Sequence, residues 1–121
     1  MTEIDAQRRI LVVEDEVLIR MDLVETLEEL GHSVAEAGSA EEAIDVSTHG
    51  DFDILLTDMG LPRMSGEDLA RLLRERKPGL AVIFATGNNE APALPVGSPP
   101  VLLRKPFEKS TLKQAIDQAT T

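Results

Sequence analysis

Several residue types are missing from this sequence, and each absence excludes a class of function. The 121 residues include no cysteine, which excludes disulfides and thiolate metal sites. They include no tryptophan or tyrosine and only three phenylalanines, so stacking on nucleic acid bases is not expected. No run reaches the ~18 apolar residues that can span a bilayer, and no signal segment opens the chain. The absence of cysteine fits a reducing cytoplasm, where we expect the protein to be located.

Positive charge is also scarce. The chain has 12 lysines and arginines against 22 acidic residues, for a net charge of −10. This balance disfavours binding to nucleic acid or to an anionic membrane, and it suits a domain that holds a cation or meets basic partners. The 42% apolar content is enough for one core. We expect one monomeric domain over residues 9–121, a flexible segment over residues 1–8, and no output domain.

Short apolar runs alternate with helical periodicities along the chain. The predicted strands are residues 9–13, 33–37, 54–56, 80–85 and 101–103, and the predicted helices are 16–30, 39–48, 65–77 and 108–119. In the first helix, Leu18, Met21 and Leu27 belong to the predicted apolar stripe. Strands that are apolar on both faces and alternate with helices are typical of a parallel sheet. We therefore expect a doubly wound, flavodoxin-like α/β fold with strand order 2-1-3-4-5 and helices on both faces.

Residues 88–100 interrupt this alternation. The segment contains four of the seven prolines, at positions 92, 95, 99 and 100. Each interior proline costs a helix about 3 kcal/mol. The sequence therefore predicts an irregular, mobile segment where a further helix would be expected between strands four and five.

Acidic residues follow two of the predicted strands. Glu14 and Asp15 come after strand one, and Asp58 comes after strand three. Ligands of doubly wound sheets bind at these carboxyl ends. Two unit charges ~4 Å apart repel by about 4 kcal/mol at an effective dielectric of 20, so three carboxylates need compensating positive charge. Oxygen ligands without histidine or cysteine favour Mg²⁺ or Mn²⁺. The simpler alternative is that Glu14 and Asp15 only favour the dipole of helix one, which is our interpretation of Glu16.

Two further polar residues follow strands four and five. Thr86 supplies a hydroxyl and Lys105 an ammonium. Together they are the groups that a phosphoryl group beside a metal ion would need. Asp58 would then be the nucleophile and would form an acyl phosphate. Taken singly, each of these residues is an ordinary strand-end residue.

The same residues carry a family resemblance that covers nearly the whole chain. VVEDE at positions 12–16 resembles the acidic pair of the receiver domains of two-component response regulators. DMGLPRMSG at positions 58–66 follows the family pattern D-x-x-L-P-x-M-x-G in every fixed position. Thr86 matches the switch hydroxyl, and RKPF at positions 104–107 matches the Lys-Pro pair.

The resemblance implies a role for each of these residues. Asp58 would accept phosphate from the phosphohistidine of a histidine kinase. The residues that it assigns to Mg²⁺ are Glu14, Asp15, Asp58 and the main-chain carbonyl of Gly60. Thr86 and Lys105 would contact the phosphoryl group, and the Lys105–Pro106 bond is expected to be cis.

The chain departs from the family in three places. Gly87 follows the switch threonine, where the family usually has alanine or a similar small residue. FATG at positions 84–87 resembles the start of the motif of the FAT GUY receivers, but the closing tyrosine is absent. That subgroup tends to pair with HWE-type histidine kinases, which makes such a kinase a candidate partner. Leu102 replaces the aromatic switch residue of the last strand.

The leading hypothesis is a stand-alone receiver in a phosphorelay, which is phosphorylated on Asp58 and acts through a protein partner or as a phosphate sink. We expect no enzymatic turnover beyond its own phosphorylation and slow self-dephosphorylation. One alternative is a receiver-like docking module that is never phosphorylated. Another is a Mg²⁺-dependent phosphatase, which would want a second aspartate where Gly60 stands. A flavin module fits poorly, because a helix that opens with acids would repel a phosphate.

Overall fold

The computed structural model describes residues 7–87, 92–95 and 97–120. Strands and helices alternate as far as the fourth strand, as the apolar pattern predicts, and the described residues between the fourth and fifth strands form no helix. The elements in chain order are β1 Arg9–Val13, α1 Val17–Glu29, β2 Ser33–Ala37, α2 Ala40–Ser47, β3 Ile54–Asp58, α3 Gly66–Arg76, β4 Ala81–Thr86, β5 Val101–Arg104 and α4 Lys109–Ala119. None of the helices in the described part of the chain is long and apolar enough to cross a membrane.

All five strands form one parallel sheet in the order β2-β1-β3-β4-β5. The expected flavodoxin-like fold class and strand order are confirmed. β1 lies between β2 and β3, with Leu11 opposite both Ala35 and Leu55. β2 is at the edge, as expected for the strand that contributes no candidate site residue.

The core consists of two layers, because successive strand residues point to opposite faces of the sheet. One layer joins α1 and α4 to alternate strand residues such as Ile10, Leu56 and Ile83. The other joins α2 and α3 to the intervening residues such as Leu55 and Phe84. Both faces are therefore covered, and sheets of this kind bind ligands at the edge where the strands end.

The predicted apolar stripe of α1 is partly wrong. Leu23 and Leu27 are buried, and Ile19 packs against the core. Leu18 and Met21 are 80% and 58% exposed, respectively. The first turns of α1 are apolar on more than one side, so a spacing of three or four residues fits either face. The packing against the sheet selects the face that carries Ile19.

Serine side chains start two of the helices, as the capping signatures predict. Ser39 accepts a hydrogen bond from the main-chain N–H of Glu42, and Ser65 accepts one from that of Asp68. These bonds satisfy N–H groups that have no partner inside the helix. The helix that starts at Ser65 carries the chain away from β3 and its terminal aspartate.

The proline-rich segment forms no helix at residues 92–95 and 97–100, where the prediction of irregular structure is confirmed. The part of that prediction on residues 88–91 and 96 lies outside the described residues. Arg74 of α3 holds the end of the segment in place, and its side chain is buried. Its Nη1 donates to the main-chain oxygen of Ser98 at 2.6 Å, and its Nε donates to that of Leu80 at 2.9 Å.

Candidate functional site

The strand ends bring the predicted polar residues to one edge of the sheet. Glu14 directly follows β1, Asp58 ends β3, Thr86 ends β4, and Lys105 directly follows β5. Parallel pairing aligns these ends: Asp58 lies opposite Ala85, the residue before Thr86. The main-chain N–H of Lys105 donates to the carbonyl oxygen of Thr86 at 2.8 Å.

Three carboxylates gather at this edge. Glu14, Asp15 and Asp58 each offer one oxygen, and these oxygens lie within 4.8 Å of one another. The Glu14 side chain is buried, that of Asp58 is 16% exposed, and Asp15 is exposed. The cluster is therefore buried on the side of Glu14 and open to solvent on the side of Asp15.

Lys105 neutralises part of this acidic cluster. Its Nζ lies 3.1 Å from Oε1 of Glu14 and 3.4 Å from Oδ2 of Asp58. The side chain is only 24% exposed, so the ion pairs are poorly screened by water. The peptide bond between Lys105 and Pro106 is cis, as the resemblance implies. One ammonium thus contacts carboxylates from two different strands.

The loop after β3 fixes the orientation of Asp58. The main-chain N–H of Gly60 donates to Asp58 Oδ1 at 3.1 Å, which leaves Oδ2 facing Lys105. The main-chain N–H of Gly66 donates to the carbonyl of Met59 at 3.1 Å, which closes the loop. Gly66 approaches Asp58 closely, since a Cβ at this position would lie 2.1 Å from the Asp58 carbonyl oxygen.

Thr86 and Leu102, the two positions of the family's switch, lie on neighbouring strands. Thr86 is 6% exposed at the end of β4. Leu102 lies opposite Phe84 in β5 and packs against the core layer of α2 and α3. The position of the aromatic switch is therefore occupied by a partly buried aliphatic side chain.

Comparison with known proteins identifies this arrangement. A family model for the response regulator receiver domain matches residues 10–117. The chain belongs to this family. Receiver domains are signalling modules of two-component systems that pair with histidine kinases, and they are generally not enzymes.

Three known proteins are similar to this chain over more than nine tenths of its length. The chain is 33% identical to the response regulator receiver protein CpdR of Brucella abortus, over 92% of this chain and 95% of CpdR. It is 34% identical to the sensor kinase CckA of the same species, over 97% of this chain and 13% of CckA. The crystal structure of the response regulator PhyR from Brucella abortus matches with a TM-score of 0.80 at 30% identity, over 94% of this chain and 48% of PhyR. The chain therefore spans less than two thirds of CckA and of PhyR, and nearly all of CpdR.

Burial and neighbouring charged groups shift two pKa values in the receiver's site. Burial raises the pKa of the Glu14 carboxyl, and the hydrogen bonds from the Glu16 N–H and from Lys105 oppose this only in part. Burial alone would lower the pKa of Lys105, but the hydrogen bond to Glu14 and the charge of Asp58 outweigh it, so the pKa of Lys105 is raised. The ammonium is therefore held in its charged form by its neighbours.

This raised pKa predicts a loss of stability at alkaline pH. The stabilisation from Lys105 is complete below the ordinary lysine pKa of 10.5 and is lost as the pH rises through the raised value of the folded protein. We expect urea unfolding to show Lys105→Met less stable than the wild type at pH 9, with the difference shrinking at higher pH. The chain has no cysteine or tyrosine to titrate in this range. A difference that stays constant up to pH 12 would contradict the prediction.

The sequence reasoning did not single out Arg20, which contacts the edge of the site. Its Nη1 donates to the main-chain oxygen of Glu14 at 2.8 Å. Arg20 is the only basic residue of α1, a helix that follows an acidic motif, and this isolation was the available signal. Periodicity alone does not give the direction of the Arg20 side chain. In the same helix it also assigned Leu18 and Met21 to the buried stripe, although both are exposed.

Proposed function

We propose that this receiver accepts a phosphoryl group on Asp58 from the phosphohistidine of a histidine kinase. The observation that carries the proposal is the contact of Lys105 with Asp58 Oδ2 beside two further carboxylates. A purely structural ion pair would not require three acids at one strand edge. A partly exposed carboxylate next to a fixed ammonium suits a nucleophile whose product carries more negative charge.

The reaction would proceed by in-line displacement at phosphorus. An Asp58 carboxylate oxygen forms the new O–P bond while the P–N bond to the kinase's histidine breaks, and the electron pair of that bond returns to the imidazole. Gly60 keeps Oδ1 in place through its N–H, so Oδ2 is the better oriented nucleophile. Lys105 then lies beside the developing charge, and Thr86, from the next strand, is proposed to donate its hydroxyl to the phosphoryl group.

The donor set fits a magnesium ion. Ligands at about 2.1 Å from Mg²⁺ place opposite oxygens about 4.2 Å apart, close to the span of the three carboxylates. Glu14, Asp15, Asp58 and the carbonyl of Gly60 would hold the ion, and Mn²⁺ has the same ligand preference. When bound, the ion would offset the charge of the transferring phosphoryl group. Lys105 alone cannot balance three carboxylates, so a divalent cation completes the charge.

An apolar surface beside the site offers a place for the kinase. Val17 and Leu18 are 55% and 80% exposed, and Leu18 lines a shallow cavity of about 450 Å³ with Pro106 and Phe107. Exposed apolar residues next to a reactive carboxylate would bring a partner's histidine within reach. We propose a histidine kinase as this partner, with the HWE type as the first candidate because of the FATG motif. We also propose that the receiver is monomeric and cytoplasmic.

Incubation with acetyl phosphate and Mg²⁺, followed by intact mass measurement, tests the phosphorylation. We expect the wild type to gain the mass of one phosphoryl group and Asp58→Asn to gain none, because an amide is a poor nucleophile. Asp45→Asn is the matched control, since Asp45 is an exposed carboxylate on α2, and it should behave as the wild type. If the wild type gains no phosphate, or Asp58→Asn gains it equally, the proposal is wrong.

The same exposed apolar residues also favour a second candidate, a docking module that is not phosphorylated. Binding would then depend on Leu18 and its neighbours and be independent of Asp58 chemistry. Phosphotransfer from a panel of histidine kinases separates the two functions. Kinase binding without transfer to Asp58 would support the docking module.

A further inference from the structure

Arg20 links α1, β1 and β2 at the edge of the acidic site. Its Nη1 donates to the main-chain oxygen of Glu14 at 2.8 Å, and its Nε donates to Oε1 of Glu36 at 3.0 Å. The Arg20 side chain is 19% exposed, whereas that of Glu36 is 49% exposed. The planar guanidinium can make both bonds at once, which a lysine ammonium in this position could not do with the same geometry.

The carbonyl that Arg20 holds belongs to the peptide bond between Glu14 and Asp15. Other groups already fix Glu14: its N–H donates to Ala37, and its carboxylate accepts from the Glu16 N–H and from Lys105. The Asp15 side chain is exposed, so little packing holds it, and the plane of the preceding peptide contributes to the direction of its Cα–Cβ bond. Holding the Glu14 carbonyl therefore helps to keep this bond on the side of Asp58, and the Asp15 carboxylate offers an oxygen within 4.8 Å of one from Asp58.

We propose that Arg20 is a positioning residue for the metal site, and this rests on the function proposed above. The ion pair with Glu36 compensates most of its charge, so its effect on the site is through geometry. Groups that orient metal ligands in this way commonly change metal affinity by 10-fold to 100-fold when they are removed, by typical magnitudes for such contacts. An ordinary surface ion pair would contribute little.

The test compares Arg20→Met, Arg20→Lys and Arg71→Met by Mg²⁺ titration of amide NMR spectra. Arg71 is the matched control because it is also a helical arginine that pairs with a glutamate. It lies on α3, and its partner is Glu67. We expect Arg20→Met to bind Mg²⁺ roughly tenfold more weakly, Arg20→Lys to be intermediate, and Arg71→Met to match the wild type. At saturating Mg²⁺, the rate of phosphorylation by acetyl phosphate should return to near the wild-type value.

A second measurement needs no metal. Amide hydrogen exchange at Asp15 and Glu16 should become faster in metal-free Arg20→Met and not in Arg71→Met, while the midpoint of urea unfolding stays close to that of the wild type. If the wild type binds Mg²⁺ and Arg20→Met binds it equally well, the role of Arg20 is overturned and the proposed function stands. Weaker binding matched by a general loss of protection would also overturn it. If the wild type binds no Mg²⁺, both proposals fall.

Discussion

Gly66→Ala should destabilise the protein by about 3 kcal/mol, the upper range for overpacking a filled site. The new Cβ would lie 2.1 Å from the carbonyl oxygen of Asp58 and 3.0 Å from Oγ1 of Thr57. Real Cβ atoms do not approach main-chain oxygens this closely, so either the first turn of α3 or the end of β3 must move. Alanine is a better helix former than glycine by up to about 1 kcal/mol, which offsets only part of this cost.

Urea unfolding followed by circular dichroism would measure the effect, since the chain has no tryptophan or tyrosine for fluorescence. Gly79→Ala is the matched control, because a Cβ there would meet no atom within 4 Å. It should leave the free energy of unfolding within about 0.5 kcal/mol of the wild type. Equal free energies of unfolding for the two variants would contradict the prediction and show that the loop after Asp58 can shift at little cost. Any shift of the Asp58 carbonyl should also slow phosphorylation.

Lys105→Met should change two properties of the site in opposite directions. The phosphorylation rate at saturating Mg²⁺ should fall about 100-fold to 1000-fold, the usual effect of removing one group that stabilises charge in the transition state. Affinity for Mg²⁺ should rise by up to about 30-fold, because a unit charge and a divalent cation ~4 Å apart repel by about 2 kcal/mol even in water. The ammonium contacts Glu14 and Asp58, two of the three proposed carboxylate ligands, so a bound ion would lie close to it.

Intact mass against time gives the rate, and titration calorimetry gives the affinity. Lys109→Met is the control, since Lys109 pairs with Glu29 at 3.3 Å on an exposed surface and should change neither property. A parallel fall of rate and affinity would show that Lys105 mainly maintains the shape of the site. An unchanged rate would remove it from the proposed phosphotransfer.

Much of the fold follows from local rules that operate within a few residues. The β-branched runs, the capping serines and the prolines after Gly87 each act locally, and the strands and helices formed where these signals predict them. The convergence of Glu14, Asp58 and Lys105 was also predictable, because strand order and the common carboxyl edge fix it.

The sequence did not predict those features that depend on the direction of a side chain. Leu18 and Met21 have the spacing of buried residues but face solvent, since periodicity defines a stripe and the sheet decides its direction. Arg20 and Arg74 contact main-chain oxygens that lie outside their own helices, and no spacing rule signals such a bond. The roles of all the site residues, including Thr86 and the Gly60 carbonyl, depend on a bound phosphate or metal and remain predictions.

The bonds of Arg74 have a consequence for how this receiver can diversify. Its guanidinium anchors the segment before β5 through main-chain oxygens of Leu80 and Ser98. Every residue type offers such an oxygen, so the anchor places little demand on neighbouring side chains. Gly97 is the exception, because it has a φ of +88° and a Cβ there would lie 2.8 Å from the Pro78 carbonyl oxygen. Apart from Leu94, which packs against the core layer of α2 and α3, residues 92–95 are therefore a region where evolution or design can introduce new recognition sequences while the sheet keeps its register.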